Sequence, residues 1–203
     1  MATFISLHIK SDNRAFVGKL VQELSDVNHI TYGSYPNELD ENILPGENAN
    51  PNFIAIGDIQ NGWISVQLNS FKKLHDWAKK ISKELNTLVV QVVGQTTSDA
   101  YYFLMYDKGE LRREIEFYYG ELDNLIDKGE KFAFEKPSLV PLNDNDYENL
   151  FNGDTLEQYC KELGFDLFND VQPEFYYILK NKNLYKTLSE VLASKKKRWW
   201  RFW

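Results

Sequence analysis

The run Tyr101-Tyr102-Phe103-Leu104-Met105-Tyr106 constrains the fold more than any other stretch of this chain. In an extended strand successive side chains alternate between faces, so Tyr102 and Tyr106 share one side while Phe103 and Met105 share the other. Both sides are apolar or aromatic, which places the strand centrally in a sheet covered on both faces. The pattern predicts amphipathic helices on one face and C-terminal helices with the tail on the other. The alternative is an aromatic surface left open for a partner.

The segments around this strand supply the layers. Phe4 to Ile9 reads as a strand, with Ser11 and Asp12 as candidate caps of a following helix. In that helix Phe16, Val17, Leu20, Val21 and Leu24 recur at the spacing of one helical stripe, as expected of a helix lying on a sheet. Asn52 to Ile56 and Trp63 to Leu68 predict a hairpin joined through Asp58 to Gly62. Ser70 is a candidate cap for a second helix, with Phe71, Leu74, Trp77, Ala78, Ile81 and Leu85 inward. Its lysines at 72, 73, 79, 80 and 83 point outward.

Three strands follow, at Leu88 to Val93, Tyr101 to Tyr106 and Leu111 to Tyr118, the last two joined by an Asp107-Lys108-Gly109 turn. In the last strand, alternation sets Leu111, Ile115 and Phe117 on one side and Arg112, Glu114 and Glu116 on the other. The charged side is expected to meet solvent. The order strand, helix, two strands, helix, three strands predicts an α+β fold: a largely antiparallel sheet with helices packed on one face, plus a C-terminal helical region. On this reading residues 1–120 form the sheet domain, and residues 121–203 form a helical region packed on it.

In that second region Glu121 to Lys131 reads as a charged helix or loop and Pro137 to Pro141 as a connector. Asp154 and Thr155 read as caps of a helix closed by Gly164, and Phe175 to Leu179 with Leu184, Leu188 and Leu192 as a last apolar series. Gly33 to Pro51 has the composition of a long loop and carries Glu38, Asp40, Glu41 and Glu47. It is read either as a solvated excursion or as an acidic binding loop.

Charge is distributed unevenly. The formal net charge is −7 although the last nine residues, Lys195-Lys196-Lys197-Arg198-Trp199-Trp200-Arg201-Phe202-Trp203, are basic and aromatic, so the body is more acidic than the whole. An acidic body opposes nonspecific adhesion to nucleic acid and attracts basic partners. Trp199, Trp200, Arg201, Phe202 and Trp203 suit three roles: covering apolar surface of the same protein, docking on another, or attaching to a membrane surface. No stretch reaches the length of a membrane span, and the start lacks a basic segment leading into an apolar run. The cytoplasm is the expected compartment.

Candidates for chemistry are sparse. Cys160 is the single cysteine and reads as a small buried residue, which leaves no internal disulfide. His8 falls in a strand, His29 in a loop and His75 on a helix, and none has a paired histidine or cysteine at metal-ligand spacing. Asp144-Asn145-Asp146 begins like a calcium loop, but Asn149 stands where glycine is needed and Thr155 where the twelfth-position glutamate belongs. The chain lacks a phosphate-cradling glycine loop, a Gly-x-Ser-x-Gly elbow and a dinucleotide fingerprint. No catalytic residue, metal or cofactor is expected.

The segments Gly62-Trp63-Ile64-Ser65-Val66, Ile81-Ser82, Thr97-Ser98-Asp99-Ala100-Tyr101 and Tyr106-Asp107-Lys108-Gly109-Glu110-Leu111 resemble small acidic bacterial proteins of toxin-immunity type, over roughly residues 50–120. The resemblance implies a protein that blocks a basic, toxin-like partner by occlusion with an acidic surface, without chemistry of its own. The candidate contacts are Glu38, Asp40, Glu41, Glu47, Arg112, Glu114 and Glu116. Two other classes stay open. One is a small-ligand protein or enzyme with a pocket between sheet and C-terminal helices; the other is a peripheral membrane scaffold using the tail.

Overall fold

The computed structural model describes residues 3–25, 29–33, 49–51, 53–119, 125–135, 151–167 and 176–180. Nine strands and three helices are described, in the order β1 (Thr3–Lys10), α1 (Arg14–Leu24), β2 (His29–Gly33), β3 (Phe53–Gln60), β4 (Trp63–Leu68), α2 (His75–Glu84), β5 (Leu88–Gln95), β6 (Ala100–Asp107), β7 (Glu110–Tyr118), β8 (Ile126–Gly129), α3 (Gly153–Leu163) and β9 (Tyr176–Lys180). The strands form one sheet in the order β2-β9-β3-β4-β1-β5-β6-β7-β8, antiparallel at every pairing. The fold is therefore α+β.

Its centre has a simple plan. With β2, which lies at the sheet edge, set aside, the elements β1, α1, β3, β4, α2 and β5 follow one another, while their strands lie in the order β3-β4-β1-β5. That is the split β-α-β arrangement called ferredoxin-like. The β6–β7–β8 meander extends it on one side, and β9 with β2 on the other.

Two cores sandwich the sheet. On one face Val17, Leu20 and Val21 of α1 and Trp77, Ala78 and Ile81 of α2 pack on Leu7, Ile9, Ile64, Val66, Tyr102 and Leu104. On the other, Leu156, Tyr159 and Cys160 of α3, with Phe151 and Phe165, pack on Val90, Val92, Tyr101, Phe103, Ile115 and Phe117. Each fully buried Val, Leu, Ile or Phe contributes about 1.5–3 kcal/mol relative to exposure. The central aromatic strand, β6, is thus buried on both sides, with α1 and α2 on one and α3 on the other. Trp199, Trp200, Arg201, Phe202 and Trp203 lie outside the described residues, as do the acidic-loop candidates Glu38, Asp40, Glu41 and Glu47. Pro137 to Pro141, the Asp144 loop, Leu184, Leu188 and Leu192 also lie outside them.

Local signals account for most of the elements. Two hairpins turn in two residues with positive φ, Asn61 (52°) with Gly62 (77°) and Lys108 (52°) with Gly109 (86°). These match the twist of the flanking strands. Asn13 accepts from the Phe16 amide at 3.1 Å and starts α1; Asn152 accepts from the Thr155 amide at 2.9 Å and starts α3. Gly164 closes α3 in the left-handed conformation.

Several expectations are corrected. The caps are Asn13 and Asn152, not Ser11, Asp12, Asp154 or Thr155. Ser70 caps no helix: its hydroxyl donates to the Ala49 carbonyl, and α2 starts only at His75. His29 lies on β2 rather than in a loop, and β3 runs on to Gln60 past a register shift between Ile56 and Ile59. Ile126–Gly129 is a strand within the stretch read as charged helix or loop, and Tyr176–Lys180 is a strand seated between β2 and β3.

Candidate functional site

The richest polar constellation lies where the chain enters α2 and crosses β5, β6 and β7. Gln91, buried in the middle of β5, accepts from the Leu74 amide at 2.7 Å and donates to the Lys72 carbonyl at 2.8 Å. This holds the start of α2 against the sheet, where Leu74 offers no side-chain cap. His75, the first residue of α2, thereby comes to stand over β6 and β7.

Its imidazole is fully engaged. His75 Nε2 lies 3.0 Å from Glu114 Oε1, and Nδ1 lies 3.1 Å from the Tyr106 hydroxyl. A carboxylate only accepts, so Nε2 carries a proton toward Glu114, and Nδ1 bonds the Tyr106 hydroxyl. Tyr102 donates to the same Glu114 oxygen at 3.3 Å, and Lys128 Nζ stands 3.6 Å from the other. Two residues along β7, Glu116 pairs with Lys73 and accepts from Tyr118 at 2.9 Å. The Lys73 ammonium also lies over the Tyr102 ring, 5.3 Å from its centroid. Burial raises the Tyr102 hydroxyl far above its ordinary value, and the charges of Glu114 and Glu116 raise it further. Burial, then Glu114 and Asp76, raise Tyr106. Both tyrosines therefore stay protonated, and Tyr102 donates to Glu114.

Here the side-chain geometry overturns the expected solvated face of β7. The Glu114 and Glu116 side chains are 4% and 7% exposed and lie beneath the start of α2. Arg112 belongs to neither face: Met105 pairs with Arg113 and Tyr106 with Leu111, so Arg112 is the extra residue of a bulge. It is exposed and pairs with Asp107 at 3.5 Å and Glu110 at 3.8 Å. Of the three β7 candidates, Glu114 and Glu116 are thus drawn into one internal network and Arg112 stays apart at the β6–β7 turn. His75 is 35% exposed on its side chain. Both its ring nitrogens are already bonded, so the network orients side chains and pins a helix without offering a free base.

Two further polar groups are sealed in the opposite face. The Arg113 side chain is 0% exposed and forms a two-pronged pair with Glu135 at 2.8 and 2.5 Å, while donating to Asp127 at 2.6 Å. Burial works to lower the guanidinium, but Glu135 and Asp127 outweigh it and hold Arg113 above its ordinary value. His8 is buried between Ser6 (2.7 Å) and Ser65 (2.9 Å), with Phe165 stacked on its ring at 4.2 Å. Burial pushes its pKa down from 6.5 to about 3, so it is neutral at physiological pH. Burial, then Asp166 and Glu157, raise the Cys160 thiol far above its ordinary value, which makes it a poor nucleophile.

The surfaces contrast with these interiors. The outward side of the α2 region carries Lys72, Lys79, Lys80 and Lys83 against Asp76 and Glu84, whereas Lys73, expected outward, turns in to Glu116. On the opposite side of the sheet, α3 and its following turn carry Asp154, Glu157, Glu162 and Asp166 against Lys161. Sequence reasoning singled out neither the His75 network nor the acidic α3 face. A glutamine inside the Leu88-Val-Val-Gln-Val-Val run was the available sign of the first, and carboxylates repeating on one side of the Asp154 helix were the sign of the second. Comparison with known protein families, curated proteins and solved structures found no match for the chain.

Proposed function

We propose that this protein acts by binding another protein, using an acidic surface to occlude a basic partner in the manner of a toxin-immunity protein, in the cytoplasm. The observation that carries this reading is the separation of charge across the sheet. Asp154, Glu157, Glu162 and Asp166 share the α3 side, where Lys161 pairs with Glu157, whereas Lys79, Lys80 and Lys83 gather on α2. An acidic face steers a basic partner during approach and suppresses acidic competitors. With Glu114 and Glu116 committed internally, the contact surface moves from β7 to α3; Glu38, Asp40, Glu41 and Glu47 are proposed to add to it.

The test is recovery of the tagged full chain from its source cells, in parallel with an Asp154→Lys/Glu162→Lys variant. The reading expects a stoichiometric basic protein with the parent, released by high salt and missing from the variant. A stoichiometric partner held equally by both, or no partner, overturns it.

A further inference from the structure

The second charged face has no role in that reading. Lys79, Lys80 and Lys83 are exposed on α2 and have no ion-pair partner among the described residues. Contacts at the end of the helix bring one more cation to them. The β6–β7 turn closes against α2: Gly109 donates its amide to Ser82 Oγ at 2.6 Å and lies against the Lys83 side chain. Lys108 in that turn donates its amide to the Thr87 carbonyl, and the Thr87 hydroxyl donates to the Lys10 carbonyl at 2.6 Å. Lys108, exposed, therefore borders the same end of α2, whereas the Lys10 side chain turns to the other face of the sheet, its ammonium 5.9 Å from the Trp63 ring centroid. The neighbouring carboxylates Asp107 and Glu110 are taken by Arg112, leaving Asp76 and Glu84 as the opposing charges on the helix itself.

We infer that the lysine face of α2, centred on Lys79, Lys80 and Lys83, docks the protein on an anionic lipid surface. Three observations select lipid over a nucleic acid. The face is a row of lysines on a helix, without the arginine fork that reads bases and phosphates in pairs. The chain as a whole is acidic, which penalises a polyanion able to reach around it but much less a surface approached from one side. The C-terminal sequence combines lysine, arginine and tryptophan, the composition favoured at membrane interfaces. Because α3 lies across the sheet from α2, docking this way turns the acidic α3 face outward from the lipid. The described helices are not long or apolar enough to cross a bilayer, so the attachment is peripheral.

The experiment is co-sedimentation of the full chain with phosphatidylcholine vesicles that contain or lack phosphatidylserine. Each lysine near such a surface adds roughly 1 kcal/mol, so Lys79→Gln/Lys80→Gln/Lys83→Gln is expected to lower the partition coefficient on the order of 100-fold. Lys79→Glu/Lys80→Glu/Lys83→Glu is expected to lower it further, with circular dichroism checking that both variants fold. The parent should bind only phosphatidylserine vesicles and release them in high salt, while Asp154→Lys/Glu162→Lys binds at least as well. No vesicle binding by the parent, binding unchanged by the α2 variants, or retention of a DNA duplex in preference to vesicles overturns the inference. None of these outcomes bears on the basic partner, which is read separately by co-purification.

Discussion

His8 stays neutral in the fold because burial pushes its pKa to about 3, against 6.5 when exposed. Between those values the unfolded chain binds a proton that the folded chain refuses, so stability rises with pH across the window and is lost on acidification. The slope is about 1.4 kcal/mol per pH unit. Urea titrations at pH 7 and pH 5 are expected to show the parent losing about 2 kcal/mol more than His8→Gln over that interval. Equal losses would show that His8 is not sealed. Arg113 makes the opposite kind of demand, since its removal strands the fully buried Glu135 carboxylate. Arg113→Met is expected to cost about 3–5 kcal/mol by denaturant midpoint, and Arg113→Lys to recover little because an ammonium cannot make the two-pronged bond. At this scale the sequence was a poor guide. Alternation along β7 placed Glu114 and Glu116 on the right side of the strand, but a polar residue on a strand face means solvent only where nothing covers that face. The covering group was the start of α2, fixed by Gln91 from another strand, and no local pattern reports such a contact.

The elements that were legible are those whose signals are local. The α1 stripe from Val17 on, the alternation of β4 and the Lys108-Gly109 turn each lie within a dozen residues and are where they were expected, whereas α2 keeps its stripe from Leu74 on but starts only at His75 and leaves Phe71 exposed. Of the elements misread, β2 and β9 are short and take their stability from partners far along the chain, β9 pairing with β3 across more than half the sequence, while β8 is a four-residue strand on the neighbouring β7. In β8 a second constraint replaces propensity. Gly129 has φ +93°, and a Cβ there would stand 2.1 Å from the Arg112 carbonyl oxygen. Gly129→Ala is therefore expected to destabilise by more than about 1 kcal/mol and to loosen amide protection along Ile126–Gly129 first. Hydrogen exchange would check this; uniform loss over the sheet would contradict it. Asn152→Ala removes the cap of α3 and is expected to cost about 1 kcal/mol, read as a lowered denaturant midpoint.

For the whole molecule, the sheet is a partition between unlike surfaces, with lysines outward on α2 and carboxylates outward on α3. The fold class was readable because β6 is apolar on both sides, and a strand of that kind demands two covering layers. Net charge was also readable, but its separation was not, because composition sums over faces that only the topology distinguishes. In the proposed role that separation has a purpose, with α3 the face that meets a basic partner. The most direct measurement is co-purification from source cells using three forms of the full chain: the parent, Asp154→Lys/Glu162→Lys, and Lys79→Glu/Lys80→Glu/Lys83→Glu. A basic protein recovered in stoichiometric amount with the parent and the α2 variant, but missing from the α3 variant, is the predicted result. A partner lost with the α2 variant and kept by the α3 variant, or no partner in any form, would contradict it.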